Sequence, residues 1–425
     1  MQVGGVTQAL DWLERNHPLL IDDLGRLVAV ETSFPPGAGY GAFADLLESL
    51  VEPLGFACER VTVPTDLYAS TGVSGERVNL IAARDGSAPP LAIYFHTDTV
   101  PPGEGWGSPP FALTSHNGTH YGRGTADMKG AIACVLAALK AADAVDLPLA
   151  YGPSLLFCTD EEGGLYPGIR WLAESGKLSP GAHLMNLNGG AVPRIWAGCF
   201  GSLDLRVRFL GRSAHSGDQV DGVNALEQAL PALNALIALK TEVELRVSAL
   251  PAPPHVADGK LRARLSLTAA QGGAKGSALP GRFEVVVNRR YMPEEEADDV
   301  LAEIEDCIAK AVDESALLGH EIEMVGHLAP VRDPRGPHWP RWQGALAEGF
   351  GWPLEDFRAY GASTSSDMGW IQPAGIQEIL LGGLARPDRN VHAADEHTTD
   401  EDLKGLARSV LLYLSRDFAP EQRGP

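Results

Sequence analysis

One stretch, residues 91–129, constrains the fold of this chain more than any other. It begins with five apolar residues at 91–95, a composition typical of a buried strand. The apolar run ends at His96-Thr97-Asp98, and residues 122–127 lead to Asp127 directly before a helical pattern. In open α/β sheets, ligands bind at the carboxyl ends of the strands. The stretch therefore predicts an α/β domain with a site where a buried strand ends.

More polar residues follow the same arrangement. Asp160-Glu161-Glu162 comes after an apolar strand pattern at 155–158, and His392 lies near the end of the chain. A single His-x-Asp pair is weak evidence, because such pairs arise by chance and often cap a turn. The acidic segment and His392 that follow it strengthen the signal for a functional site.

Seven segments in chain order share the pattern of one family. The sequence resembles the zinc-dependent amidohydrolases and metallopeptidases that include acetylornithine deacetylase, succinyl-diaminopimelate desuccinylase, aminoacylase and glutamate carboxypeptidase. The resemblance implies an α/β catalytic domain with a mixed central sheet flanked by helices, plus an inserted α+β domain that serves as lid and dimer interface. The segments are FHTDTVP, YGRGTADMKGA, CTDEEGG, GRSAHSG with GVNALE, VVNRRYMPEE, SSDMGW and NVHAADEH.

The hydrophobic patterns indicate where in the chain the inserted domain lies. Its strand and helix patterns predict a small antiparallel sheet with two helices on one side. We predict a catalytic domain in two segments, residues 1–199 and 328–425, interrupted by an inserted domain at residues 200–327.

Composition limits the partners. The net charge of -21 over 425 residues argues against a nucleic-acid or anionic-membrane partner. The five cysteines are scattered without a CxxC pair, and the N-terminus lacks the pattern of a signal peptide. We expect a cytoplasmic protein with no membrane segment. The resemblance implies a small-molecule substrate with a free carboxylate, and a homodimer through the inserted domain.

The resemblance also implies the metal ligands. Asp127 would bridge two zinc ions, with His96 on one side and Glu162 with His392 on the other; one ion, or cobalt or manganese, are alternatives. It further implies a cis peptide bond after Asp127. The residues alone leave other roles open, because His96 could be a hydrogen-bonded strand-end residue and Asp127 a helix N-cap.

Three residues match catalytic roles in the family. Glu161 corresponds to the general base that takes a proton from the attacking water. Asp98 corresponds to the acid that accepts the second ring N–H of His96, and His215 to the donor for the oxyanion. A solvated acidic loop at Glu161 and a surface turn at Asp98 are the alternative interpretations.

One position departs from the family pattern. Asn188 stands where the family has an acidic ligand of the His96 metal, with Asn186 as the second choice of alignment. An amide oxygen is neutral and a poorer zinc ligand than a carboxylate. Asn188 could ligate weakly, leave one zinc at the other position, or inactivate the protein.

Four residues match substrate-binding positions of the family: Asn224, Arg290, Ser365 and Asp367. Asn224 is equally suited to cap a helix. Arg290 could bind a carboxylate through two N–H groups, whereas its neighbour Arg289 could be a solvated strand residue. The loop of residues 361–367 could instead be a flexible connector.

The sequence therefore predicts a metal-dependent hydrolase that cleaves the amide bond of an N-acyl amino acid. A dipeptidase or carboxypeptidase with the same chemistry is the close alternative. A binding protein that has lost catalysis is the alternative from another class, and Asn188 is the evidence for it.

Overall fold

The computed structural model describes residues 3–69, 72–84, 86–163, 166–179, 181–217 and 222–419. The chain forms two compact units. The first comprises Met1–Trp196, Pro334–Ala359 and Trp370–Pro425, and the second Ala197–Asp333 and Tyr360–Gly369. The short segment Tyr360–Gly369 thus belongs to the second unit, although the sequence pattern assigned it to the catalytic domain.

The N-terminal part of the first unit alternates strands and helices. Its helices are α1 (Val3–Arg15), α2 (His17–Ala29), α3 (Tyr40–Val51), α4 (Thr65–Tyr68), α5 (Lys129–Ala144) and α6 (Gly168–Glu174). Its strands are β1 (Ala57–Thr62), β2 (Val78–Ala83), β3 (Pro90–His96), β4 (Thr114–His116), β5 (Thr119–Tyr121), β6 (Gly152–Cys158) and β7 (His183–Gly190), and β8 (Arg194–Cys199) leads into the second unit.

The apolar periodicity over residues 5–30 indicates one helix, but the structure has two, α1 and α2. The break follows from Pro18, which lies in the first turn of α2. Proline has no backbone N–H and clashes with the preceding turn inside a helix, whereas it is tolerated at a helix start.

The second unit contains an antiparallel sheet covered by helices. Its strands are β9 (Gly201–Leu210), β10 (Ala214–His215), β11 (Val247–Pro251), β12 (Lys260–Arg262), β13 (Arg264–Gly272), β14 (Ala278–Leu279), β15 (Arg282–Tyr291), β16 (Gly319–Leu328) and β17 (Val331–Arg332), and its helices are α7 (Ala225–Val243) and α8 (Ala297–Val312). Four strands pair in the order β13-β15-β9-β16. Alternate residues of β9, such as Leu205 and Val207, pack with Leu236 of α7 and Ile304 of α8 in one apolar core.

The rest of the chain belongs to the first unit apart from the segment Tyr360–Gly369. The remaining elements are α9 (Trp339–Phe350), β18 (Arg358–Ala362), β19 (Ile379–Ala385), β20 (His397–Thr399) and α10 (Asp400–Leu414), with 3-10 turns at Glu52–Leu54, Leu354–Asp356 and Asp367–Trp370. No helix among the described residues combines the length and apolar character needed to cross a bilayer.

The central sheet of the first unit has the order β1-β2-β6-β3-β7-β19. β6, β3, β7 and β19 run parallel, while β1 and β2 pair antiparallel. The predicted mixed sheet in an α/β catalytic unit, with a second α+β unit, is confirmed. In the β3–β6 register His96 lies opposite Cys158, so the loops after both strands emerge at the same edge of the sheet.

Candidate metal centre

The site of the first unit forms where these parallel strands end. His96 is the last residue of β3, and Glu161 and Glu162 follow β6. Asp127 lies two residues before the buried helix α5, and His392 lies between β19 and β20. Four separate parts of the chain therefore supply side chains to one place.

Asp127 is the centre of this group. Its Oδ1 lies 2.9 Å from Nε2 of His96, and its Oδ2 lies 3.3 Å from Nε2 of His392. Each carboxylate oxygen thus faces a different imidazole, which is the arrangement a bridging ligand requires. Glu162 completes the His392 side, with Oε2 3.0 Å from the same Nε2. The Asp127–Met128 peptide bond is cis, which confirms that expectation.

The electrostatics of the group favour positive charge. Hydrogen bonds to Asp127 and Glu162 raise the pKa of His392 to about 10 against the opposing effect of burial. Burial acts to lower the pKa of His96, but its bond to Asp127 and the nearby acids hold that pKa well above the usual value. Burial alone would raise the pKa of Asp127, yet the two histidines hold it below the usual range.

The donor set fits a divalent cation. Asp127, Glu162 and His392 offer ligand atoms that all lie within 4.8 Å of one another, and so do His96, Glu161 and Glu162. Carboxylate and imidazole donors in this number suit zinc, and also cobalt or manganese.

Asn188 touches the expected general base. Its Nδ2 donates a hydrogen bond to Oε1 of Glu161 at 3.1 Å, and its backbone N–H donates to Oδ1 of Asn186 at 2.8 Å. Asn186 is buried in β7. Through Nδ2, Asn188 is a hydrogen-bond partner of Glu161. The amide oxygen of Asn188 is the one atom of that side chain able to bind a cation.

The contacts of Asp98 differ from the expected pattern. Nδ1 of His96 lies 3.0 Å from the backbone oxygen of Asp98, whereas the Asp98 carboxylate is 3.7 Å away. The carboxylate instead accepts the backbone N–H of Glu162 at 2.8 Å. The main chain of Asp98 therefore orients the ring of His96. The side chain of Asp98 holds the loop that carries Glu162.

The remaining site residues lie in the second unit. His215 is in β10, and its Nδ1 accepts the backbone N–H of Gly217 at 3.1 Å. Asn224 caps α7, because its Oδ1 accepts the N–H groups of Leu226 and Glu227 at 3.1 and 3.4 Å. The alternative interpretation of Asn224 as an N-cap thus describes its contacts in the structure.

Arg290 and Ser365 are neighbours in the second unit. Nη1 of Arg290 donates to Oγ of Ser365 at 2.8 Å, and Asp367 is buried in the same short segment. The interpretation of Arg289 as a solvated strand residue is wrong. Arg289 is fully buried and bonds to Glu295 at 2.5 Å, because it shares the inward face of β15 with the apolar residues of that strand.

Residues 92–416 of the chain that carries this site match the family described as peptidase family M20/M25/M40. The chain belongs to this family. It is a metal-dependent hydrolase, like the M20 peptidases and desuccinylases it resembles.

Curated relatives and solved structures agree with the M20 assignment. The chain is 29% identical to a succinyl-diaminopimelate desuccinylase from Stenotrophomonas maltophilia, over 91% of this chain and 96% of the relative. It resembles a di-peptidase from Saccharomyces cerevisiae with a TM-score of 0.76 and 16% identity, over 96% of this chain and 97% of that one. It also resembles an M20 metallo-carboxypeptidase from Sulfolobus solfataricus with a TM-score of 0.75 and 18% identity, over 93% and 98%.

Glu396 of this M20 chain carries no sequence signal for a role, yet it has one in the structure. Its buried carboxylate accepts backbone N–H groups from Gly124, Ala126 and Asp127 at 3.0 to 3.1 Å, and Nη1 of Arg123 at 2.7 Å. Glu396 follows His392 by four residues in the same loop. It therefore joins the loop of one metal ligand to the loop of another.

A second group without a predicted role supports Glu161 and Glu162. Asp160, which directly precedes them, accepts Nε of the buried Arg77 at 2.8 Å and the hydroxyl of Tyr40 at 2.7 Å. Burial raises the pKa of Asp160 to about 6 despite these partners. The guanidinium of Arg77 also lies over the ring of Tyr68. The residue patterns gave no signal for this group, because Arg77 precedes β2 as an ordinary polar residue.

Proposed function

We propose that this M20 hydrolase cleaves the amide bond of an N-acyl amino acid whose free carboxylate it recognises. The supporting observation from the comparisons is the relative that spans nearly the same length and is named succinyl-diaminopimelate desuccinylase. The single structural observation that carries the proposal is the division of the Asp127 carboxylate between the two histidines.

Asp127, Glu162 and His392 would hold one zinc ion, and His96 would face a second, with cobalt or manganese as alternatives. A bound cation of this kind polarises a carbonyl and lowers the pKa of water to near 7. We propose the Asp127–Glu162–His392 position as the tighter one, since Asn188 offers the His96 side an amide in place of a carboxylate.

Glu161 would act as the general base. It takes a proton from the attacking water while the oxygen bonds to the amide carbon, and it gives that proton to the nitrogen as the C–N bond breaks. The products are a carboxylic acid and an amine. The bond from Asn188 to Oε1 orients the carboxylate of Glu161.

His215 would stabilise the oxyanion. Its Nδ1 accepts the N–H of Gly217, so a neutral ring carries its hydrogen on Nε2 and can donate there. For the substrate carboxylate we propose Arg290, whose guanidinium is already oriented by Ser365, together with Asn224. Asp367 belongs to the loop that we propose to meet the substrate backbone.

The experiment measures hydrolysis of N-succinyl and N-acetyl amino acids by zinc-loaded protein, with Glu161→Gln as the matched variant. We expect turnover by the native protein, and a fall of at least about 100-fold in Glu161→Gln with zinc content unchanged, because general bases contribute about 10²–10⁴-fold. Full activity of Glu161→Gln would overturn this mechanism.

The resemblance to solved di-peptidases and a carboxypeptidase favours one alternative substrate class. Dipeptides assayed beside the acylated amino acids separate the two, since both share the chemistry and differ in the group that leaves. Faster turnover of dipeptides would replace the deacylase proposal with an exopeptidase.

The alternative from another class is a binding protein impaired by Asn188. Against it stands the retained group of Asp127, Glu162 and His392. If zinc-loaded native protein and Asn188→Asp both fail to hydrolyse any acyl-amino acid or dipeptide, the binding function replaces the hydrolase.

We also propose a homodimer through the second unit. The outer face of α7 exposes Leu226, Leu230 and Ile237, which are 40%, 49% and 55% accessible. Light scattering of native protein and of Leu230→Glu tests this, because a charge at this position should convert a dimer to a monomer.

The cysteines of the structure are thiols rather than disulfides, which supports the cytoplasm as the place of action.

A further inference from the structure

Three side chains that are distant in sequence meet in the first unit apart from the Asp127 group. They are His17 at the start of α2, His120 in β5, and Asp400 at the start of α10. Nε2 of His17 lies 2.6 Å from Oδ1 of Asp400, and Nε2 of His120 lies 2.8 Å from the same oxygen. Two imidazole nitrogens therefore point at one carboxylate oxygen.

The fold holds this arrangement in place. β20 pairs with β5 so that Thr398 lies opposite His120, and the chain then turns directly into Asp400. The backbone N–H of Asp400 donates to the oxygen of Gly118 at 2.8 Å. Gly118 has a φ of 74°, and a Cβ there would lie 3.0 Å from Oδ2 of Asp400. Glycine thus provides both the turn and the space for the carboxylate.

Burial differs among the three side chains. His120 and His17 are 6% and 14% exposed, whereas the Asp400 side chain is 41% exposed. The two nitrogen donors are enclosed by the protein, and the carboxylate side is open to water. This leaves room for a water molecule as a further ligand.

We propose that His17, His120 and Asp400 bind a zinc ion, separate from the centre at Asp127. Their ligand atoms all lie within 4.8 Å of one another. Two imidazoles, one carboxylate and one water form a tetrahedral zinc set, with bonds of about 2.0–2.2 Å. In tetrahedral geometry such bonds place two ligand atoms about 3.4 Å apart, so the donor atoms need to separate by about 0.6–0.8 Å from their present hydrogen-bonded distances.

The contact on the far side of His120 fits this assignment. Oγ of Ser115 lies 2.8 Å from Nδ1 of His120. When the hydroxyl oxygen accepts the hydrogen of Nδ1, the lone pair of Nε2 faces Asp400 and is available to a cation. Histidines that bind metals usually donate their other ring hydrogen in this way.

The local charge also suits a cation. A helix N-terminus repels positive charge, but the first turn of α10 carries Asp400 and Glu401. Asp402 of the same turn is paired with Arg386 and Arg389. Zinc at this position would tie α2 and β5 to α10, so it would stabilise the folded chain by mass action. The inference does not depend on the hydrolase activity.

The test compares zinc content in full-length protein with the first centre disabled by Asp127→Asn and His392→Asn. After dialysis against buffered zinc, we expect this double variant to hold one zinc per chain more than the same protein with His120→Asn added. Zinc should raise the melting temperature of the double variant and not of the triple variant. His120→Cys in place of His120→Asn should retain the ion, because cysteine is also a zinc ligand.

Equal zinc content with and without His120→Asn would overturn the proposal and leave the three residues as a hydrogen-bonded group only. If His120→Asn does not fold, as judged by circular dichroism without zinc, His17→Asn answers the same question, since His17 lies at the edge of a helix. A surface control, His116→Asn, should leave the zinc content unchanged because its side chain is exposed.

Discussion

Glu396 holds Asp127 by its backbone: one carboxylate oxygen of Glu396 accepts the N–H groups of Ala126 and Asp127 at 3.0 and 3.1 Å. The position of the bridging carboxylate therefore depends on a residue of the His392 loop. We predict that Glu396→Gln lowers zinc affinity by about 10-fold or more, the effect typical of residues that orient metal ligands. Titration with a zinc indicator measures it.

The control for this variant is Glu348→Gln, which removes an exposed acid of α9. Zinc affinity should be unchanged in it, since the charge there is solvated. Unchanged affinity in Glu396→Gln as well would mean that the strands and helices position Asp127 without this contact.

Asn188→Asp should raise the affinity of the second metal position, because a carboxylate is a better zinc ligand than an amide. It also removes the hydrogen bond to Glu161. All proteins in this comparison carry His120→Asn, so that the His17–His120–Asp400 position does not contribute to the count. We expect Asn188→Asp to take up a second zinc ion per chain at lower zinc concentrations than the protein with Asn188, measured by equilibrium dialysis. Asn188→Leu, of similar size but without a donor atom, serves as the control and should not gain metal. If the protein with Asn188 already holds two ions as tightly as Asn188→Asp, the proposed weakness of the His96 position is contradicted.

Arg77→Leu should destabilise the protein strongly. It leaves the carboxylate of Asp160 buried without its cation, and breaking a buried pair from one side costs about 3–5 kcal/mol. Arg60→Leu is the matched control, since Arg60 pairs with Asp45 and Glu48 on the surface and such pairs contribute about 0–1 kcal/mol. Urea denaturation measures both, and a similar small loss in the two variants would show that Asp160 finds other compensation.

Acid should destabilise the first unit through His183. Burial, and then the charge of the nearby His338, lower the pKa of His183 to about 3. Nε2 of this ring lies 2.5 Å from the hydroxyl of Tyr413. Between about pH 6.5, the value for an unfolded histidine, and pH 3, the unfolded chain binds a proton that the folded chain does not. The free energy of unfolding therefore falls as the pH decreases through this window, by up to about 1.4 kcal/mol per pH unit.

Melting temperatures at pH 7 and pH 5 test this dependence in His183→Asn, which should lose less stability on acidification than the native protein. The exposed His116→Asn should behave as native. An identical pH dependence in all three proteins would assign acid sensitivity to other groups.

The strands and most of the helices follow from local patterns, because buried strands at residues 91–95 and 155–158 are continuous apolar runs. The position of His96 beside the acidic loop also follows, since the carboxyl ends of neighbouring parallel strands share an edge. His392 carries no such signal by itself, and the family resemblance was needed to connect it with Asp127.

Other contacts could not be predicted, because they join main chain to side chain over long distances in sequence. Glu396 acts on N–H groups about 270 residues earlier in the chain, and nothing in its own loop indicates them. Arg289 is a different case. Phe283, Val285 and Val287 alternate on the inward face of β15, so the period of two could have separated Arg289 from Arg290.

The order of these residues along the chain has a consequence for biosynthesis. Asp127 is made well before the residue that fixes its backbone and the histidine that faces its second oxygen. A nascent chain that has completed only the inserted unit still lacks His392. The Asp127–Glu162–His392 group can therefore form only after synthesis has passed residue 392.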